Sequence, residues 1–139
     1  MCMKKIVIAL LGLLCVTCAK APINGELDGF WQLAEIAYKE GTVTDTHNDG
    51  LYYSVQLKLI GLQKGGNNQY LGRFVQTEDS LFVYDFRLNI TGDNSQKAKV
   101  GDLRAWGIPD TTERFAIERL NGKEMVLTST SARLSFRKW

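Results

Sequence analysis

The side chains that could support acid–base or metal chemistry are few, and one polar loop holds three of them. His47, the single histidine of the 139 residues, lies in the stretch TVTDTHNDG with Asp45 and Asp49. These residue types would suit a hydrolytic triad or a metal site, but one flexible loop cannot hold them in a preorganised geometry. Turns prefer Asp, Asn and Thr in any case, and zinc would require further His or Cys ligands. We therefore expect a solvated loop, with no metal site and no catalytic residue in it.

Glu35, Asp85 and Tyr84 form a second set of candidates, which could perform acid–base catalysis only if they converge in one pocket. Glu35 alternates with Trp31 and Leu33, so we expect it to point towards the interior with them. A carboxylate there would bind the polar head of a ligand, pair with an arginine, or sit exposed at the rim. The chain has no glycine-rich loop with phosphate-binding spacing. We predict that the chain has no catalytic residues and no cofactor, and therefore that the protein is not an enzyme.

The three cysteines all lie at the start of the chain, and the last of them is Cys18. A pair of lysines precedes the apolar run IVIALLGLL, which small and polar residues follow. This is the layout of a secretory signal peptide, and the run is shorter than the roughly 20 apolar residues of a membrane-spanning helix. The stretch resembles a bacterial lipoprotein signal, and Cys18 stands where that signal carries its acylated cysteine. A cut near Ala19-Lys20-Ala21, giving secretion without an anchor, is the alternative.

This layout predicts a signal peptide over residues 1–17, a lipidated tether over 18–28 and one domain over 29–139. We expect the protein in the cell envelope, anchored by lipid on Cys18 to the outer membrane and facing the periplasm, because no acidic residue precedes Glu26 in the tether. Secretion to the periplasm or display at the cell surface is the alternative. No cysteine follows Cys18, so the fold must rest on its core rather than on disulfides.

The charge balance excludes one large class of partners. The chain carries 17 basic and 15 acidic residues. Loss of Lys4 and Lys5 with the signal peptide would leave 15 of each, so the net charge of the mature chain would be close to zero. Such a chain lacks the basic surface that binding to nucleic acid requires.

After residue 28 the sequence consists of short runs of β-branched and aromatic residues separated by Gly, Asn and Asp. Asn121-Gly122 is a strong hairpin signal, and the other connections are mostly short, so consecutive strands should pair antiparallel. Eight such strands predict an all-β, eight-stranded antiparallel up-and-down barrel, with a two-sheet sandwich as the alternative. The predicted strands are Phe30–Tyr38, Leu51–Ile60, Gln69–Gln76, Ser80–Leu88, Ala98–Trp106, Glu113–Leu120, Glu124–Thr130 and Arg133–Lys138.

Alternation along these strands indicates which side chains share a face. Both faces of the fourth predicted strand are largely apolar, so one of them could line a ligand site. The residues expected to line such a site are Glu35, Tyr53, Leu57, Phe74, Phe82, Tyr84, Phe86 and Phe136. Their aromatic and aliphatic character would suit a small hydrophobic molecule held in a barrel. A solid barrel, filled by the same side chains and acting as a structural module or binding a protein of the envelope, is the alternative.

GFW, residues 29–31, opens the first predicted strand, and LSFRK, residues 134–138, forms the last. These two short motifs resemble those of lipocalins. The resemblance implies that Trp31 packs at the closed end of a barrel against Arg137, with Arg133 as the alternative partner, by cation–π attraction. Over residues 27–139 the chain also resembles the lipocalin-like domain lipoproteins of gut Bacteroidetes, in the runs LDGFWQL, YYSVQLKL, YLGRFV, DSLFVYDFR and ARLSFRKW. That family has no assigned function, so the resemblance implies a barrel but no particular ligand.

Overall fold

The structure is a computed structural model that describes residues 24–139. The predicted signal peptide, residues 1–17, and the predicted lipidation site Cys18 lie outside the described residues. Two short 3-10 turns, Gly25–Leu27 and Arg104–Trp106, accompany nine strands. No helix within residues 24–139 is long and apolar enough to cross a membrane. The strands are β1 (Gly29–Tyr38), β2 (Val43–Asp45), β3 (Leu51–Gln56), β4 (Leu59–Lys64), β5 (Asn67–Gln76), β6 (Ser80–Leu88), β7 (Glu113–Leu120), β8 (Glu124–Thr128) and β9 (Ala132–Lys138).

The strands form one antiparallel sheet that closes on itself. From β3 to β9 each strand pairs with the next in sequence, and β1 pairs with both β3 and β9. The short strand β2 pairs with β1 at Glu35–Ala37, beyond the part of β1 that pairs with β3. It therefore does not add a strand to the barrel wall. Eight strands therefore close the barrel, which confirms the predicted all-β, eight-stranded up-and-down architecture. Closure removes the exposed edges that an open sheet would present.

The second predicted strand, Leu51–Ile60, is in fact a hairpin. β3 ends at Gln56, β4 begins at Leu59, and Gln56 pairs with Leu59 across the turn. Leu57 adopts a positive φ of 55°, which is uncommon for a side chain of this type. The Asn24 side chain donates a hydrogen bond to the carbonyl oxygen of Leu57 at 2.7 Å and so supports the turn. Because the turn contains no Gly or Asn, the alternating pattern runs through it unbroken.

The fifth predicted strand, Ala98–Trp106, is wrong. This stretch is a loop that ends in the 3-10 turn Arg104–Trp106. Leu103 and Trp106 in this stretch, and Ile108 just after it, are buried, but they pack over one end of the barrel instead of joining its wall. The predicted number of barrel strands is nevertheless right, since one predicted strand divides in two and another is lost; the short β2, outside the barrel wall, was not predicted.

The sheet has four register shifts, and two of them decide which of the predicted lining residues reach the interior. In β1 the register against β9 shifts between Leu33 and Glu35, so Ile36 follows Leu33 into the core. In β6 the shift falls opposite Gly72, where Asp85 has a φ of 54° and Phe86 turns inward. An extra residue in one strand moves every later side chain to the other face. The core that results includes Trp31, Leu33, Ile36, Tyr53, Ile60, Leu62, Leu81, Val83, Phe86, Phe115, Met125, Leu127, Leu134 and Phe136.

Candidate functional site

Trp31 closes one end of the barrel, and its cationic partner is Lys138. The Trp31 ring is fully buried, and its indole Nε1 donates to the carbonyl oxygen of Leu27 at 2.8 Å. The Lys138 ammonium lies 4.4 Å from the ring centre and also donates to the carbonyl oxygen of Asp28. Lys138 pairs with Trp31 in the β1–β9 register, so both side chains turn to the same face. The 3-10 turn that carries Leu27 completes this closed end.

The prediction that Arg137 packs against Trp31 is wrong. Arg137 pairs with Gln32 in the β1–β9 register and is exposed, because neighbouring residues of a strand point to opposite faces. The alternative partner, Arg133, lies on the outside as well, where its guanidinium binds Glu118 at 2.9 Å. The cation at the closed end therefore comes one residue later than the resemblance implied.

The middle of the barrel is filled by side chains. Of the residues predicted to line a ligand site, Tyr53, Phe86 and Phe136 are buried in the core, and Phe74 packs against it partly buried. The rings of Tyr53 and Phe136 meet edge to face, with their centres 4.7 Å apart. Burial raises the pKa of the Tyr53 phenol well above its ordinary value, and the charge of Glu113 adds to the shift. These four side chains form packed core, and whether any of them touches a ligand stays a prediction.

The other four predicted lining residues lie on the outside, which corrects their expected placement. Glu35 follows the β1 bulge and is exposed, and Leu57 is 55% exposed at the tip of the β3–β4 turn. Phe82 and Tyr84 precede the β6 bulge and stack on each other outside the barrel, 5.3 Å apart. The Arg114 guanidinium packs over the Phe82 ring at 4.8 Å. The β1 bulge places Glu35 outside, and the hairpin turn places Leu57 outside. The β6 bulge puts Phe86 on the face opposite to Phe82 and Tyr84, which simple alternation had grouped with it.

The loop segment 98–108 covers the second end of the barrel, and we call it the cover segment. The Trp106 indole Nε1 donates to the carbonyl oxygen of Gln63 at 3.0 Å. The carbonyl oxygen of Trp106 accepts a hydrogen bond from the buried Tyr53 hydroxyl, and the Tyr70 ring packs edge-on against the indole. Gly107 has a φ of 80°, and a Cβ at this position would lie 2.4 Å from Leu134 Cδ2. The cover segment therefore depends on a glycine both for its backbone and for its fit.

An open cavity of about 350 Å³ remains beside the cover segment, between the second half of β1, β2 and the 3-10 turn at Arg104. Ile36 and Leu51, both buried, give it an apolar floor, and Tyr38 forms part of its wall. A second hollow of about 260 Å³ adjoins it through Tyr38 and Arg104. We call these two hollows together the mouth of the barrel. The volume of each hollow lies near the lower end of the range for small-molecule sites.

The mouth carries two cations without counter-ions. Lys64 and Arg104 line it, and within residues 24–139 neither lies within 4.0 Å of a carboxylate oxygen. Asp49 is the carboxylate that shares the lining with them. Thr46, which is buried beneath, satisfies its hydroxyl by donating to the carbonyl oxygen of Leu33 at 2.8 Å. A polar head bound here would meet free donors above an apolar floor.

Sequence reasoning missed the mouth because its residues come from segments with no shared pattern. Tyr38 ends a strand, Lys64 ends another, and Arg104 lies in the stretch that was predicted as a strand. One signal was available, since Leu103 and Trp106 have the spacing of a single helical turn and Gly107 follows them. That combination is typical of a short capped turn rather than of a strand.

The acid–base candidates do not assemble into a catalytic site. His47 Nδ1 lies 2.6 Å from an Asp45 carboxylate oxygen, and hydrogen bonds from His47 lower the pKa of that exposed carboxyl. Asp85 lies on the wall with its carboxylate 3.1 Å from Arg87 Nε, and β3, β4 and β5 separate it from Glu35. Among the residues that the structure describes, no group of three potential metal ligands occurs.

Comparison with known sequences finds one family. A family described as a lipocalin-like domain matches residues 13–139 of this chain. No curated protein matches. The family match spans every strand of the barrel, including the closed end and the mouth.

Two solved structures share the fold. A lipocalin-like protein from Bacteroides uniformis is 21% identical, with a TM-score of 0.61, and the match covers 83% of this chain and all of that one. A protein from Bacteroides eggerthii, described as uncharacterised, is 22% identical, with a TM-score of 0.55, and the match covers 81% of this chain and 98% of that one. At this level of identity the likeness concerns the fold alone.

Proposed function

This chain belongs to the lipocalin-like domain family, and from that premise we propose that it binds a small amphiphilic molecule at the mouth of its barrel. A lipocalin-like barrel is compatible with binding of a small ligand, and the family name implies no reaction. The proposal goes further, because it places the ligand outside the packed core. The ligand would have an apolar body and an acidic head.

One observation carries this proposal: two unpaired cations stand over an apolar floor. An apolar ligand body would pack on the half-buried Tyr38 and the exposed Ala105, over the buried floor of Ile36 and Leu51, at about 25 cal/mol per Å² of apolar surface removed from water. An acidic head would reach Lys64 and Arg104, which have no carboxylate partner within residues 24–139. Charged hydrogen bonds of this kind are the stronger class in proteins. A purely apolar ligand would leave both cations unused.

The proposal is tested with decanoate and its neutral analogue decanol as probes. The protein, purified from cells that express the full chain, is titrated with each probe and followed by calorimetry. We expect decanoate to bind and the variant Lys64→Met/Arg104→Met to weaken it about tenfold or more, with little effect on decanol. The matched control Lys58→Met/Lys123→Met removes the same charge from exposed turns away from the mouth and should leave both affinities unchanged.

A native mass recorded beside the denatured mass adds a test that needs no chosen probe. A discrete extra mass that disappears on denaturation would identify a ligand carried from the cell, and its loss in Lys64→Met/Arg104→Met would assign it to the mouth. Decanoate binding that is equal in the mouth variant and in the control variant would refute the site.

The filled interior favours a second candidate, in which the barrel is a solid module that binds another protein of the envelope or serves a structural role. Tyr53, Phe86 and Phe136 occupy the space that a large internal ligand would need. This candidate predicts that cross-linking in cells recovers a defined protein partner. A chain that cross-links to no protein would count against it.

We also propose that the protein is a lipoprotein of the cell envelope, anchored through Cys18 and facing the periplasm, with secretion as the alternative. The support comes from the signal-like layout of residues 1–17 and from the small residue, Thr17, before Cys18. We further propose that the protein has no catalytic role, because its acid–base candidates lie in scattered positions.

A further inference from the structure

A neutral groove crosses the outside of the barrel, on the face formed by β1, β3, β4 and β5. Three hollows of about 360, 430 and 250 Å³ follow one another across this face. Phe30 and Gln63 line both of the first two, and Ser54 and Asn68 line both of the last two. The hollows therefore form one continuous surface, which we call the outer groove. It lies outside the barrel wall, whereas the mouth opens beside the cover segment.

Three aromatic side chains flank one end of the outer groove. Phe30 is 47% exposed and Trp139 is 74% exposed, which is unusual for rings of this size. The Tyr52 ring, half-buried, meets the Trp139 ring edge to face at 5.5 Å. The backbone N–H of Trp139 donates to the carbonyl oxygen of Phe30 at 2.9 Å, which ties the tryptophan to the sheet. The rings are thus held in place and still offer open surface.

Amide and hydroxyl groups form the floor of the outer groove. The pairings Tyr52–Gln63, Gln63–Asn68 and Ser54–Gly61 set these side chains in adjacent rows on the outer face. Within residues 24–139 the side-chain amides of Gln56 and Gln63 make no hydrogen bond. Each amide supplies both donors and acceptors. Unpaired groups of both kinds are therefore available to a ligand.

Gly61 leaves the floor open. A Cβ at this position would lie 2.4 Å from the Ser54 hydroxyl oxygen and 2.5 Å from the Asn68 side-chain oxygen. Because Gly61 has no side chain, these two polar groups can lean over it, 3.5 Å from each other. A larger residue would push them apart and fill the hollow.

The outer groove is nearly free of charge. Among the described residues that line the three hollows, Asp28 has the only charged side chain, whereas 23% of the residues of the whole chain have one. The two carboxylate oxygens of Asp28 already accept hydrogen bonds from the Asn24 side chain and backbone. A ligand of this groove would meet flat apolar rings and neutral hydrogen-bonding groups.

We propose that the outer groove binds a neutral oligosaccharide. Sugar rings present apolar C–H faces, which pack on aromatic rings, and a rim of hydroxyl groups, which pair with amides and hydroxyls. Phe30, Tyr52 and Trp139 supply the first kind of contact, and Gln56, Gln63 and Asn68 supply the second. An ionic ligand would find no counter-ion here. A protein or lipid partner would favour a larger and less polar patch.

The test uses the purified full-length protein and four neutral hexasaccharides, built from glucose in α and β linkage, from mannose and from xylose, with an anionic hexagalacturonate for comparison. Binding is followed by calorimetry and by tryptophan fluorescence. We expect at least one neutral hexasaccharide to bind with a Kd of about 1 mM or tighter, and hexagalacturonate not to bind. The variant Phe30→Ala/Trp139→Ala should weaken that binding about tenfold or more.

A control and a second variant separate binding from folding. Val43→Ala/Val100→Ala also removes two exposed apolar side chains, 59% and 67% exposed, outside the groove, and should leave binding unchanged. Gln63→Ala removes a groove amide without affecting the backbone carbonyl that holds Trp106, and should weaken binding in a protein that melts normally. Failure of all four neutral hexasaccharides to bind, or binding that survives both groove variants, would overturn the proposal.

Discussion

At the scale of single residues, strand register decides which of two neighbouring cations closes the barrel. Arg137 and Lys138 are adjacent, yet Lys138 stands over Trp31 while Arg137 faces outward beside Gln32. Their chemical types gave no reason to prefer the lysine, and arginine is the better partner for an aromatic ring in general. Register overrides type here, because a side chain on the wrong face cannot reach the ring.

Substitution of these residues should separate their roles in stability. We expect Trp31→Ala to lower the free energy of unfolding by about 3–5 kcal/mol, as large core truncations do. Lys138→Met should cost about 1–2 kcal/mol, because it removes the cation–π contact and the hydrogen bond to Asp28. Arg137→Met, the matched control, should stay within about 0.5 kcal/mol of the parent. Urea unfolding measures all three, and a larger loss for Arg137→Met than for Lys138→Met would contradict the assigned pairing.

Tyr53 should make the fold sensitive to alkali. Burial raises the pKa of its phenol well above the ordinary value of 10.0. The buried neutral phenol contributes fully to the free energy of unfolding below that ordinary pKa. The contribution is lost as the pH rises towards the folded-state pKa, because the unfolded chain releases the proton at a lower pH. Melting temperatures between about pH 8 and about pH 11 should therefore fall at the upper end.

Tyr53→Phe should flatten that alkaline loss, although it also removes the hydrogen bond to the Trp106 carbonyl and costs about 1 kcal/mol at neutral pH. Tyr70 keeps part of the dependence, because partial burial and, after it, the charge of Asp102 raise its pKa as well. Equal alkaline slopes for the parent and Tyr53→Phe would show that Tyr53 does not cause the loss.

At the scale of elements, most of the barrel strands followed from the sequence, but two of the predicted strands and several of the predicted faces did not. Alternation placed Tyr53 and Phe136 inward correctly, since no bulge precedes them on their strands. It failed for Glu35, which follows a bulge, and for Phe82 and Tyr84, because a bulge puts the buried Phe86 on the opposite face from theirs. The turn at Leu57 carries no turn residue, and the apolar residues of the cover segment imitate a strand. These features depend on long-range packing, which a local pattern does not contain.

The cover segment should depend strongly on Gly107. Gly107→Ala combines a positive φ of 80° with a Cβ only 2.4 Å from Leu134 Cδ2. Gly101→Ala is the matched control, because its φ of 98° is also positive but a Cβ there would meet nothing within 4 Å. We expect a loss of about 1 kcal/mol for the control and clearly more for Gly107→Ala. Chemical unfolding gives both values, and hydrogen exchange of the Trp106 indole reports whether the cover loosens; equal losses would mean that Leu134 yields easily.

At the scale of the whole molecule, the closed end, where the described chain begins, and the mouth lie at opposite ends of the barrel. Leu27 and Trp31 pack at the closed end, near the first described residues, whereas Tyr38 reaches the mouth. Seven strand positions separate Trp31 from Tyr38, which is about 23 Å at 3.3 Å per residue. A chain anchored through Cys18 would therefore turn its mouth away from the membrane.

The anchor itself is tested by fractionation of cells that express the full chain. Cys18→Ser should move the protein from the membrane fraction to the periplasmic fraction, because the acylated side chain is lost. Cys15→Ser is the control and should remain with the membrane. Retention of Cys18→Ser in the membrane fraction would show that another segment holds the protein there.

The pairing of β1 with β9 also has a consequence for the order of folding. From β3 to β9 consecutive strands form hairpins from neighbouring sequence, except that residues 89–112 separate β6 from β7. The barrel closes only when its last strand meets its first. That final pairing carries the largest loop-closure entropy and should make folding slow, on the order of milliseconds to seconds. A partly made chain would accordingly present two unpaired strand edges until β9 arrives. A chain of this topology thus suits passage across a membrane before it folds, since the step that locks the barrel comes last.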